Sequence, residues 1–240
     1  MVYISVEYIL TTVIILALLF MLSLKFNIFD LKGSIAALLI GIIVVIFGSL
    51  LWLILMLIFA ITAYIATKYR INEKIKNHLQ EGKNGERHVS NVIYAALIGI
   101  FIAFANITKF HNLPFFEIFA TSFASVNADT FASEIGVFDK NVYLITNFKK
   151  ITPGINGGIS LLGEISAAMG ALIIGLSYSI LEFHTIVFSP VFVITLLGFA
   201  GCQVDSILGA VFENRNKLSK GQVNTFSTLF AVFLSILIYI

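Results

Sequence analysis

From Gly33 to Thr67 the chain reads GSIAALLIGIIVVIFGSLLWLILMLIFAITAYIAT, with no charged side chain. A helix crosses the hydrocarbon core with about 20 apolar residues, so this run is too long for one crossing. Gly48-Ser49 is the place where it can break, and the run reads as two spans joined by a tight helical hairpin. The alternative is one long tilted or bent helix, which would change the parity of every later loop. The reading of this stretch therefore decides the fold.

Working outward, apolar segments place spans at about 4–24, 33–48, 50–67, 89–108, 114–134, 157–181, 186–212 and 223–240. The expected fold is all-α: a polytopic transmembrane helical bundle of about eight spans, seven if the hairpin is one helix, with no soluble domain. Composition agrees. The chain is 59% hydrophobic and 12% charged, where a soluble domain carries about 25% charged residues. The first apolar run lacks a basic leader and a small-residue cleavage site, so it reads as a retained span. A net charge of +2 is too small to point to nucleic acid, and the lone Cys202 excludes an intramolecular disulfide or a cysteine zinc cluster.

Loop lysines and arginines set the orientation. Of the 15 basic residues, all but Lys109 fall after spans 1, 3, 5 and 7. Those loops are expected in the cytoplasm of a cell-membrane protein with both termini outside. The polar stretch from Lys68 to Val89 is expected to continue span 3 as a helix ending near Gly82.

Ionisable residues inside spans are costly and mark function. Three polar sites fall at the same ends of their spans. Span 5 closes with Asn127, Asp129, Thr130 and Glu134. Asn127, Thr130 and Glu134 share a helix face, while Asp129 and Glu134 point roughly 140° apart. Acidic groups at a helix C-terminus oppose the helix dipole. The loop entering span 6 runs from Lys149 through Pro153, Gly154, Asn156, Gly157 and Gly158 to Ser160. Glycines admit close backbone approach, and a helix N-terminus offers free N–H groups to an anion. An ordinary Pro-Gly turn with a helix cap is the plainer reading. The order of a P-loop is absent. Span 7 carries Gly198, Gly201, Asp205 and Gly209 in one stripe. Small residues there explain close helix packing but leave the carboxylate, for which Mg²⁺ shared with nucleotide phosphates is a fitting partner. Lys83, Asn84, Arg87 and Asn224 lie on the same side, and each alone reads as a solvated loop residue.

The motifs Asn127-Ala-Asp-Thr-Phe-Ala-Ser-Glu-Ile-Gly136, Pro153-Gly-Ile-Asn-Gly-Gly-Ile-Ser-Leu-Leu-Gly163, Asp205-Ser-Ile-Leu-Gly-Ala210 and Val223-Asn-Thr-Phe-Ser-Thr228 stand in order over the last two thirds of the chain. Together with Asn84-Gly85 they resemble the phytyl-phosphate kinase family of plants and its archaeal and bacterial integral membrane relatives. More distantly they are similar to dolichol kinases and phosphatidate cytidylyltransferases. Phe131 stands where that family often has Trp, and Glu164 where a smaller residue is commoner.

The resemblance implies one membrane domain over residues 1–240, with less characteristic helices in 1–67 and the catalytic region in 81–240. It implies Mg²⁺-dependent transfer of a phosphoryl group from a nucleotide, CTP by analogy, to a prenyl monophosphate whose tail stays in the lipid, between helices. Asp129 and Asp205 would hold the metal, with Glu134 taking a second ion or orienting the acceptor. Lys149, Lys83 and Arg87 would neutralise charge. Asn84, Asn127, Thr130, Pro153, Gly154, Asn156, Gly157, Gly158, Ser160 and Asn224 would bind nucleotide or phosphate. The nucleotide arrives from the cytoplasm, no nucleic acid is involved, and a homo-oligomer is left open. A lipid cytidylyltransferase and a transporter using the carboxylates as an ion path are the alternatives.

Overall fold

The structure is a computed structural model that describes residues 6–26, 28–80, 89–108 and 110–240. In chain order it comprises α1 (Val6–Lys25), α2 (Leu31–Phe47), α3 (Leu50–Lys68), a short α4 (Ile71–Lys76), α5 (Val89–Asn106) and α6 (Phe115–Gly136). Three short strands follow, β1 (Val142–Leu144), β2 (Lys150–Ile151) and β3 (Gly158–Ile159), and then α7 (Leu161–Phe183), α8 (Phe188–Val211) and α9 (Lys220–Tyr239). The long helices fall within a few residues of the expected spans.

The hairpin breaks where the sequence placed it. Asp30 caps the start of α2 by accepting from Gly33 N at 2.6 Å. The helix ends at Gly48, where an added Cβ would stand 2.7 Å from the Trp52 ring and from Val44 O. Ser49 is extended and α3 begins at Leu50. Two helices, not one bent rod, therefore cover this run.

Five helices, α3, α5, α7, α8 and α9, are long and apolar enough to cross a membrane, and α1 and α2 add shorter apolar segments. Exposed apolar side chains such as Ile46, Ile61, Phe101, Phe192 and Phe233 cover the outside, an apolar surface that lipid solvates and water does not. α6 differs. It is buried along most of its length and carries Thr121, Ser122, Ser125 and Asn127 in its interior. It packs against α3, α5, α7, α8 and α9, so its side chains meet protein, not hydrocarbon.

Lipid tails are as apolar as leucine, so close packing holds such helices together. An added Cβ on Gly170 of α7 would stand 2.7 Å from Asn127 O, and one on Gly198 of α8 would stand 2.7 Å from the Ala124 Cβ. These glycines let α7 and α8 lie directly on α6. Asn127 clamps the contact, donating to Gly170 O at 2.8 Å and accepting from Thr62 Oγ1 at 3.3 Å.

The segment after α3 corrects an expectation. It does not continue as a helical extension. The chain turns at Arg70, whose φ is 49°, and α4 folds back toward the bundle. The reason is Lys74, whose side chain is fully buried. Its ammonium donates to Ala66 O at 3.1 Å, Thr67 O at 3.0 Å and Glu134 Oε2 at 2.6 Å. It thus adds a donor to the last carbonyls of α3 and neutralises a carboxylate of α6.

The stretch between α6 and α7, read from sequence as an anion-binding glycine loop without strands, holds a small antiparallel sheet of order β2-β1-β3. Val142 pairs with Ile151, and Tyr143 with Ile159. It covers the end of the bundle where α6 stops and α7 starts.

Candidate functional site

Under this sheet lies a polar cavity of about 260 Å³. Asp129 and Glu134 reach it from α6, Glu164 from α7, Asp205 from α8 and Lys220 from α9. Pro153, Gly154, Asn156, Gly157, Gly158 and Ser160 form its other wall. Residues spread from 129 to 220 in sequence therefore meet at one end of the bundle.

Each wall has a local cause. Ser160 starts α7 by accepting from Gly163 N at 3.1 Å. Asp139 reinforces this start, accepting from Asn141 N at 2.9 Å and Leu162 N at 3.3 Å. Those two backbone N–H groups, Asn141 first, hold its carboxyl below the usual carboxylate range. The glycine loop is pressed onto α8. Gly157 has a φ of 78°, and a Cβ there would lie 2.5 Å from the Ala210 Cβ and 2.6 Å from Ser206 O. Asn214 Nδ2 adds a bond to Asn156 O at 2.9 Å. Gly157→Ala is expected to lift the loop from α8 and cost about 1–3 kcal/mol. Thermal unfolding in detergent checks it, and an unchanged Tm would remove the close-packing account.

Asp205 is held from α9. Ser227 Oγ donates to its Oδ2 at 2.9 Å, and the Asn224 amide, with its nitrogen turned toward the carboxylate, donates to the same oxygen at 3.0 Å. Both bonds end on one oxygen, so neither occupies the other. Lys220 adds positive charge near this carboxylate. Two half-buried aspartates thus face one cavity.

The structure rearranges several expected roles. Glu134 lines the cavity, yet one oxygen is paired with Lys74 and the other accepts from Thr67 Oγ1 at 3.1 Å. Asn127 lies fully buried between helices and holds α3 and α7 to α6 instead of lining the cavity. Thr130, Asn224 and Asp129 line a small adjoining polar space. Lys149 sits exposed on the sheet and is not on the cavity wall. Its backbone N–H donates to Asn147 Oδ1 at 3.0 Å. Lys83, Asn84 and Arg87 lie outside the described residues.

Sequence reading missed Lys220, Ser227 and Lys74. A lysine in the first turn of a helix opposes the dipole, and that was the available signal for Lys220. Asn224 and Ser227 are three residues apart and so share a face. Nothing local marked Lys74. Glu164 both lines the cavity and accepts from Gln203 Nε2 at 2.7 Å.

The family described as integral membrane protein DUF92 matches residues 14–232. The membrane protein MJ0933 of Methanocaldococcus jannaschii is 29% identical over 232 residues, covering 95% of this chain and 93% of that protein. The membrane protein sll0875 of Synechocystis is 28% identical over 198 residues, 76% of this chain and 74% of its own length. Protein VTE6, chloroplastic, of Arabidopsis thaliana is 28% identical over 156 residues, 62% of this chain and 46% of the plant protein. No solved structure matches.

Proposed function

The chain belongs to the DUF92 family of integral membrane proteins, and from that premise we propose that it is a prenyl phosphate kinase with its reaction centre in the polar cavity at the sheet-covered end of the bundle. The observation that carries the reading is the meeting of Asp129, Asp205, Lys220 and the start of α7 around one cavity. The likeness of its motifs to the phytyl-phosphate kinase family supports the same reaction class. So does the kinship with a chloroplast protein of Arabidopsis.

The residues present fit a magnesium nucleotide. Mg²⁺ binds through one or two carboxylates together with substrate phosphates and water. Asp129 and Asp205 are such a pair. Among the described residues no three His, Cys, Asp or Glu side chains form a metal site by themselves, so phosphate oxygens would complete the shell. The ion would neutralise charge on the transferred group. Lys220 would do the same from α9, and the backbone at Gly157 to Ser160 with the N-terminus of α7 would receive phosphate oxygens. Ser227 and Asn224 orient Asp205. Glu134 acts through Lys74, fixing the end of α3 against α6.

Phosphoryl transfer needs positioning and charge stabilisation more than covalent chemistry. An oxygen of the prenyl monophosphate attacks the γ-phosphorus of the nucleotide, CTP by analogy. The bond from that phosphorus to the bridging oxygen breaks, and the nucleoside diphosphate leaves with the electron pair. The acceptor oxygen is already ionised, so no strong base is required. The expected orientation puts this face in the cytoplasm, where the nucleotide is.

Purified protein with CTP, Mg²⁺ and a prenyl monophosphate is expected to yield the prenyl diphosphate and CDP. A product carrying CMP with released pyrophosphate would instead establish cytidylyl transfer, and no nucleotide turnover with any prenyl monophosphate would overturn the reading. Chelation of Mg²⁺ is expected to stop the reaction.

A further inference from the structure

A second cavity, of about 210 Å³, lies between α1, α2, α3 and α5, and its walls are almost wholly apolar. The reaction chemistry makes no use of it. Its wall on α3 runs from Leu53 to Thr67, about 20 Å at the helical rise, or some two thirds of a hydrocarbon core of roughly 30 Å. The wall is graded along this length. Leu16, Ile40 and Leu53 form the far end. That end is tightly packed, since a Cβ on Gly41 would stand 2.8 Å from Leu16 and 3.4 Å from Leu53. Ser23, Ser34, Thr67 and Asn91 stand at the other end, where Thr67 already touches Glu134.

This chamber adjoins the reaction site through shared walls. Asn91 and Ala95 line both the chamber and the small polar space that holds Asp129 and Thr130. Asp129, Ser133, Glu134 and Lys220 line both that space and the main polar cavity. An amphiphile with one apolar chain and one phosphate would have its tail in the chamber and its phosphate at Asp129 and its metal.

We propose that the chamber among α1, α2, α3 and α5 binds the isoprenoid tail of the substrate inside the protein, so that these helices select chain length. The inference rests on the prenyl phosphate reading for its ligand. It sharpens the expectation that the tail stays in the lipid between helices by naming the helices. A single chain of several isoprene units suits the length of the chamber, and its floor at Leu53 sets an upper limit.

The test uses the full chain in phosphatidylcholine vesicles, without nucleotide, and a prenyl monophosphate with a photoreactive diazirine at the tail end. Labelling is expected near Leu53, Met56 and Leu57 and is expected to fall on addition of unlabelled prenyl monophosphate. Labelling confined to lipid-facing residues such as Phe192 and Phe233, or labelling that no competitor reduces, overturns the proposal. Substitutions then shift the preference in opposite directions. Ala60→Phe shortens the chamber and is expected to favour shorter tails by at least about tenfold, and Leu53→Ala deepens it and favours longer ones by a similar factor. Binding competition across a series of tail lengths reads both shifts. Competed labelling in the chamber with no diphosphate product would uphold the chamber while removing the kinase reading. Diphosphate formation with labelling only outside would do the reverse.

Discussion

Asp129→Asn is expected to reduce nucleotide-dependent phosphoryl transfer by at least about 10²–10³-fold, the scale on which a group that stabilises charge in a transition state acts. The substitution keeps the shape of the side chain and removes its charge, so α6 keeps its packing while the proposed metal would lose a ligand. Asp129 is the sharper test of the two aspartates because it lines both the small polar space and the main cavity. Ser227→Ala serves as the graded comparison. It removes the bond at 2.9 Å that orients Asp205 without removing a carboxylate, and the loss is expected to be about 10–100-fold. Initial rates across Mg²⁺ concentrations check both. Full activity in Asp129→Asn with unchanged Mg²⁺ dependence would end the metal role.

Lys74→Met is expected to destabilise the protein by roughly 3–5 kcal/mol, because it leaves the Glu134 carboxylate buried without its cation. For a chain of this length that is on the order of 10 °C in Tm. Glu134→Leu alone is expected to do comparable harm by stranding the ammonium. The double change, Lys74→Met with Glu134→Leu, removes both charges and is expected to recover most of the stability, since a buried pair replaced by apolar groups of similar volume is often neutral. Thermal unfolding of the three variants in detergent measures the coupling. Activity of the double variant separates two roles. Near-normal turnover places Glu134 in the scaffold, as its bonds to Lys74 and Thr67 suggest. A stable but inactive double variant would restore Glu134 to the metal.

The bundle was legible in the sequence because lipid imposes simple demands. Backbone groups in hydrocarbon must be bonded within their own helix, so each span appears as an uninterrupted apolar run. The break at Gly48 was legible for the same reason: a run of that length cannot cross once. The glycine loop and the two aspartates were also legible, since neither fits a plain apolar span. α6 was readable as a helix despite its Ser, Thr and Asn side chains. Only the structure explains why such a helix is tolerated, by placing it where no lipid reaches it.

Other features were not legible because they depend on which side chains meet across the bundle. The turn at Arg70 looked like a continuing helix, since local propensity favours one there. It turns because the Lys74 ammonium reaches Glu134, 60 residues away in sequence. Lys149 looked like a phosphate ligand by proximity to the glycines, but the sheet carries it outward. Asn127 looked like a site residue because it shares a face with Glu134, but α3 and α7 close over it.

The sequence by itself determined the class of the protein, the approximate ends of its long helices, and the end of the bundle where its polar side chains collect. Those follow from hydropathy and charge along one dimension, which the bilayer reads directly. The tertiary structure alone decided which carboxylates face the cavity, that Glu134 is at the same time paired with Lys74, that Lys220 lines the cavity and Ser227 holds Asp205, and that the first helices enclose an apolar chamber beside it. Those depend on helix rotation and close approach, set by glycine contacts and buried polar bonds between residues far apart in the chain.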